Sequence, residues 1–198
     1  MLRVLFLSVF LSLNLTAIAG ETVYVEMVTS EGSFTLELYP TKAPITVRNF
    51  LKYVDGGHYE GAAFYRTVTY ENDNGHPKIE VIQGGIGDAA DSLFPPIKHE
   101  STSETGILHT DGVISMSRFT VGSASSEFFI CIGDQPGLDH GQPRNADMQG
   151  FAAFGRVVEG MDVVRVINEL PAKSASDDPY TKGQMIAEPA VISKAVRK

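Results

Sequence analysis

Two polar side chains interrupt otherwise apolar, strand-like runs and are the most informative residues for chemistry. Arg66 follows Phe64-Tyr65 within residues 62–68, and Gln83 ends residues 79–83 just before Gly84-Gly85. A guanidinium stays charged and presents fixed N–H donors; an amide both donates and accepts. Taken singly, each reads as a solvent-facing member of a strand. Other chemistries have weaker signals. His58, His76, His99, His109 and His140 stand in polar, loop-like contexts and form no H-x-x-x-H or H-E-x-x-H pattern, so they read as surface histidines. The serines of 122–126 lack a G-x-S-x-G frame. Gly85-Ile86-Gly87-Asp88-Ala89-Ala90 matches G-x-G-x-x-A after a strand, but Asp91-Ser92 and Pro95-Pro96 cut short the helix a dinucleotide site needs. Cys131 is the single cysteine, which excludes an internal disulfide, and it reads as a buried small hydrophobe.

The elements that must position Arg66 and Gln83 centre on residues 112–133, GVISMSRFTVGSASSEFFICIG. Residues 113–116 and 128–132 are strand-length apolar runs flanking a loop, 120–126, of small residues that lets another chain approach closely. Phe128 and Phe129 are adjacent, so on a strand one enters the core while the other lines a groove. An apolar wall beside a low loop suits an extended peptide.

Upstream, residues 22–29 and 33–39 alternate and are joined by Ser30-Glu31-Gly32, a hairpin. Pro44 suits a first helical turn, Val47, Phe50, Leu51 and Val54 share one helix face, and Gly56-Gly57 stops the helix. Residues 70–78, YENDNGHPK, read as a surface loop outside the core, inserted into a β-region. Residues 84–96 are irregular. Downstream come a strand at 151–158, a helix at 162–170 with Val163, Ile167 and Leu170 inward, a polar loop at 172–187 and a strand at 190–196. Many strands and two helices without βαβ alternation predict an antiparallel barrel or sandwich capped by helices.

Composition sets the outer bounds. At 198 residues, 43% hydrophobic and 20% charged, the chain suits one globular domain with a full core. A net charge of −8 with no basic cluster argues against nucleic acid as a partner. Arg3, the apolar run 4–15 and Ala17-Ile18-Ala19 predict a secretory signal peptide over 1–19, leaving a single domain at 20–198 in the periplasm or outside the cell. The apolar run is too short to predict a stable membrane span.

Several ordered segments together resemble the cyclophilins, the peptidyl-prolyl cis-trans isomerases. Phe64-Tyr65-Arg66 resembles the family's F-H-R, and Ile82-Gln83-Gly84-Gly85 its x-Q-G-G. ISMSRFTVGSASSEFFI at 114–130 resembles S-M-A…S-Q-F-F-I without a gap; Leu138-Asp139 and residues 154–161, FGRVVEGM, resemble L-D and F-G-x-V-x-x-G-M. The resemblance runs from about residue 23 to 196, and Pro95-Pro96-Ile97-Lys98 and LDHG at 138–141 are most similar to the periplasmic bacterial branch.

This resemblance implies a mainly β fold, a closed eight-stranded antiparallel β-barrel capped by two α-helices. It implies an isomerase acting on X–Pro bonds, with no cofactor and no metal. Its partners would be proline-containing polypeptides, among them unfolded exported proteins, and it would act as a monomer. Carried over position by position, Arg66 is the donor to the prolyl nitrogen and Gln83 holds substrate backbone or orients Arg66. Phe129, Leu138 and Val81 form the proline pocket, Ser117 and Arg118 flank the neighbouring backbone, and Phe64, Glu127 and Phe151 complete the substrate site. The chain departs from the pattern at Glu80-Val81 (commonly Phe-Met), Glu127 (Gln), Gly137 (Trp or Phe), Phe151 (His or Tyr) and the 70–78 insertion. A non-catalytic binder of proline-containing segments using the same groove is the alternative.

Overall fold

In the computed structural model, residues 22–87, 93–173 and 175–198 are described. The predicted signal peptide and residues 88–90 of the glycine motif, with Asp91-Ser92, lie outside them. Among the described residues eight strands follow one another: β1 (Val23–Thr29), β2 (Gly32–Leu38), β3 (Ala63–Val68), β4 (Val81–Gly85), β5 (Val113–Met116), β6 (Phe128–Cys131), β7 (Ala152–Glu159) and β8 (Met185–Arg197). Three helices accompany them: α1 (Pro44–Asp55), the single-turn α2 (Thr102–Thr105) and α3 (Met161–Asn168). The strands close into an antiparallel barrel in the order β1-β2-β7-β5-β6-β4-β3-β8.

The predicted periodicities sort the chain into this barrel. Val25 and Met27 of β1 and Phe34, Leu36 and Leu38 of β2 point inward. The face of α1 read from sequence (Val47, Phe50, Leu51, Val54) is buried. Phe50 lies 5.3 Å from Tyr59, 5.5 Å from Phe128 and 5.2 Å from Phe154, ring centre to ring centre. Such pairs add about 0.5–1.5 kcal/mol each beyond their buried area. No side chain of its own caps α1. Instead the buried carboxylate of Glu100 accepts the N–H groups of Ile45 (3.1 Å) and Thr46 (2.8 Å) and the Thr46 hydroxyl (2.7 Å). A negative charge there meets the positive end of the helix dipole and satisfies orphaned donors.

Four details differ from the reading above. α2 is an added turn, with Glu104 reaching back to the Ser101 N–H at 3.1 Å. In α3, Val164 joins Ile167 as fully buried, while Val163 and Leu170 are partly buried against the core, Val163 also packing over Gly32. β8 begins at Met185, inside the segment read as loop, because Arg66 of β3 pairs with Met185. The 70–78 segment is not a free surface loop: Asp73 is 4% exposed and forms a buried ion pair with Arg144. Among the described residues, no helix is long and apolar enough to cross a membrane.

Candidate functional site

The site is laid out across four neighbouring strands. Arg66 of β3 stands opposite Gln83 of β4, Gln83 opposite Phe129 of β6, and Phe129 opposite Ser115 of β5. A slip in the β3 register falls between Phe64 and Arg66, leaving Tyr65 without a partner on β4. An extra residue in one strand breaks strict alternation. Tyr65 and Arg66, although adjacent, therefore both line the same groove, while Phe64 turns into the barrel core.

The groove has a volume of about 1080 Å³. Its apolar part holds Val81, Phe129, Leu138 and Phe151. The rings of Phe129 and Phe151 meet edge to face at 5.3 Å. Ser117, Arg118 and Glu127 also line the groove. Of the ten residues assigned to the site from sequence, nine line this groove. Phe64 does not: it is fully buried, 5.6 Å from Phe128 and 6.0 Å from Phe34. It faces inward because the register slip comes after it.

Polar atoms are tightly partnered around Arg66. Nη1 donates to Gln83 Oε1 at 2.8 Å, while Nε (2.9 Å) and Nη2 (2.6 Å) both donate to Gln184 Oε1. A guanidinium has five N–H groups. Three are taken by Gln83 and Gln184, and Tyr180 engages the guanidinium as well, so not every N–H is committed to these two amides. Burial, above all, lowers the Arg66 pKa, but an arginine so shifted remains charged.

Gln83 is held in turn. Its Nε2 donates to the Tyr65 hydroxyl at 3.0 Å, and that hydroxyl donates to Glu127 Oε2 at 2.5 Å. Glu127 Oε1 also accepts the Gly87 N–H (3.0 Å) and the Ser126 hydroxyl (3.0 Å). Burial and then the Glu127 charge push the Tyr65 phenol well above its usual range, so it stays a donor. Two departures from the family pattern, Tyr for His and Glu for Gln, thus meet each other. Because the phenol O–H donates to the carboxylate, the Tyr65 oxygen accepts from Gln83, and the Gln83 carbonyl faces Arg66. A side chain at Gly85 would put its Cβ 2.3 Å from Glu127 Oε1, so glycine makes room for this pair.

Arg118 offers the groove its flank rather than its donors. It makes a two-pronged ion pair with Asp147 (2.8 and 2.9 Å), donates to the Gly150 carbonyl, and lies 5.2 Å from the Phe151 ring. These bonds lower the exposed Asp147 carboxyl to about 2.

Sequence reasoning missed three contributors. His109 is 1% exposed rather than on the surface. It bonds Asp139 through Nδ1 (2.8 Å) and Ser115 through Nε2 (2.9 Å), and its ring stacks at 5.9 Å on Phe129. Gln184 is fully buried beneath Arg66, and Tyr180 covers that guanidinium at 5.2 Å. No local spacing marks these residues, because their partners lie on other elements; Gln184 is 118 positions from Arg66. The only available cue was a glutamine entering an apolar strand.

The profile of the family described as cyclophilin-type peptidyl-prolyl cis-trans isomerase matches residues 24–191. The chain is 35% identical over 180 residues to peptidyl-prolyl cis-trans isomerase A of Dickeya dadantii, covering 89% of this chain and 85% of that one. It is 31% identical over 171 residues to peptidyl-prolyl cis-trans isomerase B of Escherichia coli, covering 84% and 97%. Among solved structures, a Cryptosporidium parvum cyclophilin determined in the presence of the dipeptide Ala-Pro has the same fold. Its TM-score is 0.68 at 20% identity, over 88% of this chain and 98% of that one.

Proposed function

Since the chain belongs to the cyclophilin-type peptidyl-prolyl cis-trans isomerase family, we propose that the groove accelerates rotation about X–Pro bonds with Arg66 as the group acting on the reacting nitrogen. The barrier arises because nitrogen shares its lone pair with the carbonyl, and it amounts to about 18–20 kcal/mol. At the twisted midpoint nitrogen regains that pair and becomes an acceptor. A fixed cationic donor then binds the transition state better than the planar ground state, which is what catalysis requires.

The observation that carries this reading is the Arg66 guanidinium, fixed by Gln83 and Gln184 and lining the groove beside an apolar pocket of Phe129, Leu138, Val81 and Phe151. The pocket receives the proline ring. Gln83 orients Arg66 and is itself oriented by Tyr65 and Glu127. Ser117 flanks the substrate backbone, and Arg118 shapes the rim by holding Phe151 and residues 147–150. No covalent step is required.

Arg66→Ala tests this directly in a protease-coupled assay on an Ala-Pro peptide. A hydrogen bond to a charged group contributes about 1.5–3 kcal/mol, so kcat/KM falls roughly ten- to a hundred-fold with unchanged circular dichroism. Wild-type activity in a folded Arg66→Ala protein overturns the role.

The substrates are proline-containing segments of exported polypeptides, and the protein acts as a monomer after removal of residues 1–19. Arg3, the apolar run 4–15 and Ala17-x-Ala19 support export. N-terminal sequencing of the protein from its own cell is expected to begin near Gly20; a retained Met1 refutes the assignment.

A further inference from the structure

The 70–78 segment and the donor side chain Arg66 are connected by two routes that start from the adjacent residues Asn72 and Asp73. The first runs through Gln184. Its Oε1 accepts from Nε and Nη2 of Arg66, whereas its Nε2 donates to the Asn72 carbonyl at 2.9 Å. An amide turned end for end would set its NH2 group against the guanidinium. The Asn72 carbonyl holds it the right way round. The Asn72 side chain anchors that carbonyl by accepting the Thr69 N–H at 2.8 Å and donating to the carbonyls of Thr67 and Gly183 at 3.2 Å.

The second route runs through a buried ion pair. Asp73 binds both terminal nitrogens of Arg144 at 2.6 and 2.9 Å, with side chains 0% and 1% exposed. Burial disfavours the Asp73 charge, but Arg144 and the N–H groups of Gly75 and Ile79 more than offset it, so its pKa is lowered. Arg144 Nη2 also donates to the Tyr180 hydroxyl at 2.8 Å. The Tyr180 ring is thereby held between two guanidiniums, 5.2 Å from Arg66 and 5.5 Å from Arg144. A cation over an aromatic face is attracted to it.

We propose that the 70–78 segment is a positioning element for Arg66, acting through Gln184 on one edge of the guanidinium and through Asp73, Arg144 and Tyr180 on its face. This assigns a task to the insertion that separates the two strands of the site. The proposal rests on Arg66 being the donor, and it makes Asp73 and Arg144 positioning residues that never touch substrate.

A four-way comparison on the mature protein tests it: wild type, Asp73→Asn, Arg66→Ala and the double variant, each assayed for kcat and KM on an Ala-Pro peptide. Asp73→Asn keeps the shape and removes the charge. The expected result is a fall in kcat of roughly ten-fold with KM changed less than about two-fold, comparable to one lost charged hydrogen bond. In the Arg66→Ala background the same change should cost less than about two-fold, because coupled residues do not add. Should Asp73→Asn not fold, Gln184→Ala and Tyr180→Phe take its place in the same cycle. A second readout is the Nε–H signal of Arg66 in a nitrogen-15 spectrum, assigned by its absence in Arg66→Ala. It should exchange slowly with water in the wild type and quickly in Asp73→Asn.

Equal losses in both backgrounds, or full kcat in a folded Asp73→Asn, overturn the proposal while leaving the donor role intact. Wild-type activity in Arg66→Ala overturns the donor role and the positioning role with it.

Discussion

The two sides of the β3-β4-β6 wall are both apolar, yet they solve different problems. Inside, Phe34, Phe50, Phe64, Phe128 and Phe154 belong to one large core that holds the barrel together. Outside, Val68, Ile79, Val81, Phe129, Cys131 and Leu138 form a second, smaller cluster with Phe151 against it. The inner cluster is closed by the barrel together with α1 and α3, which pack against it. The outer one is closed by loops, and it leaves a groove. A strand with one face in the core usually turns a polar face to water. Here the outer face is apolar because loops cover it, and the groove is the part left uncovered.

Phe128 and Phe129 put this contrast on neighbouring residues. Phe128 is fully buried and packs edge-on against Phe50, Tyr59 and Phe64. Phe129 is 5% exposed and faces His109 and Phe151. Truncating a buried aromatic to alanine costs about 3–5 kcal/mol. Phe128→Ala is expected to lose that amount in urea denaturation, with the folded fraction still active. Phe129→Ala should lose less stability, because its cavity opens to the groove, and more of kcat/KM. Equal stability losses with equal activities would erase the distinction between the two clusters.

The outer cluster also depends on a charge, and pH probes that dependence. The Asp73 carboxyl sits below its ordinary 3.8. A depressed folded pKa contributes stability that is fully present above the unfolded value, about 3.9, and is lost as pH falls through the lower folded value. The wild type should therefore lose melting temperature below about pH 4. Asp73→Asn, less stable at neutral pH, should lose less on acidification. Parallel acid profiles for the two proteins would remove Asp73 from the groove's support. The Tyr65 phenol, raised well above its range, adds no change between pH 4 and 8.

The inner cluster was legible in the sequence because its rules are local. Alternation in β1 and β2, the helical spacing of α1 and the Pro44 start each fall within a few residues. Arg66, Gln83 and Phe129 were legible through a family resemblance rather than through periodicity, which put Arg66 on an ordinary solvent-facing position. The register slip at Tyr65 decided otherwise, and it depends on pairing with β4 and β8 at once. The same slip explains the misplacement of Phe64. His109, Gln184 and the Asp73–Arg144 pair were not legible because each needs partners brought from 30 to 118 residues away. Gly137 shows the same limit. Read as a missing aromatic at the rim, it is a glycine whose Cβ would stand 2.6 Å from Pro77 Cγ, so the insertion occupies the space an aromatic would take.

The smallest expected effect lies where neither cluster reaches. Phe119 is 97% exposed, yet it lines the groove at the end of the 117–127 rim. Its backbone is fixed, with its N–H on the Ser123 hydroxyl at 3.0 Å and its carbonyl accepting from Arg118 at 3.3 Å, while the ring stands in water. An exposed ring contributes little to folding, so Phe119→Ala should change stability by less than about 0.5 kcal/mol. Its area becomes useful only when a substrate residue beside the proline covers it. Burying roughly 60 Å² of apolar surface at 25 cal/mol per Å² is worth about 1.5 kcal/mol, and ordering the ring removes part of that. A peptide with a large apolar residue next to the X–Pro pair should then lose about three- to ten-fold in KM on Phe119→Ala, and a glycine-flanked peptide almost nothing, with kcat unchanged for both. Equal shifts for the two peptides would show that Phe119 acts on the shape of the rim through Arg118 rather than on the substrate.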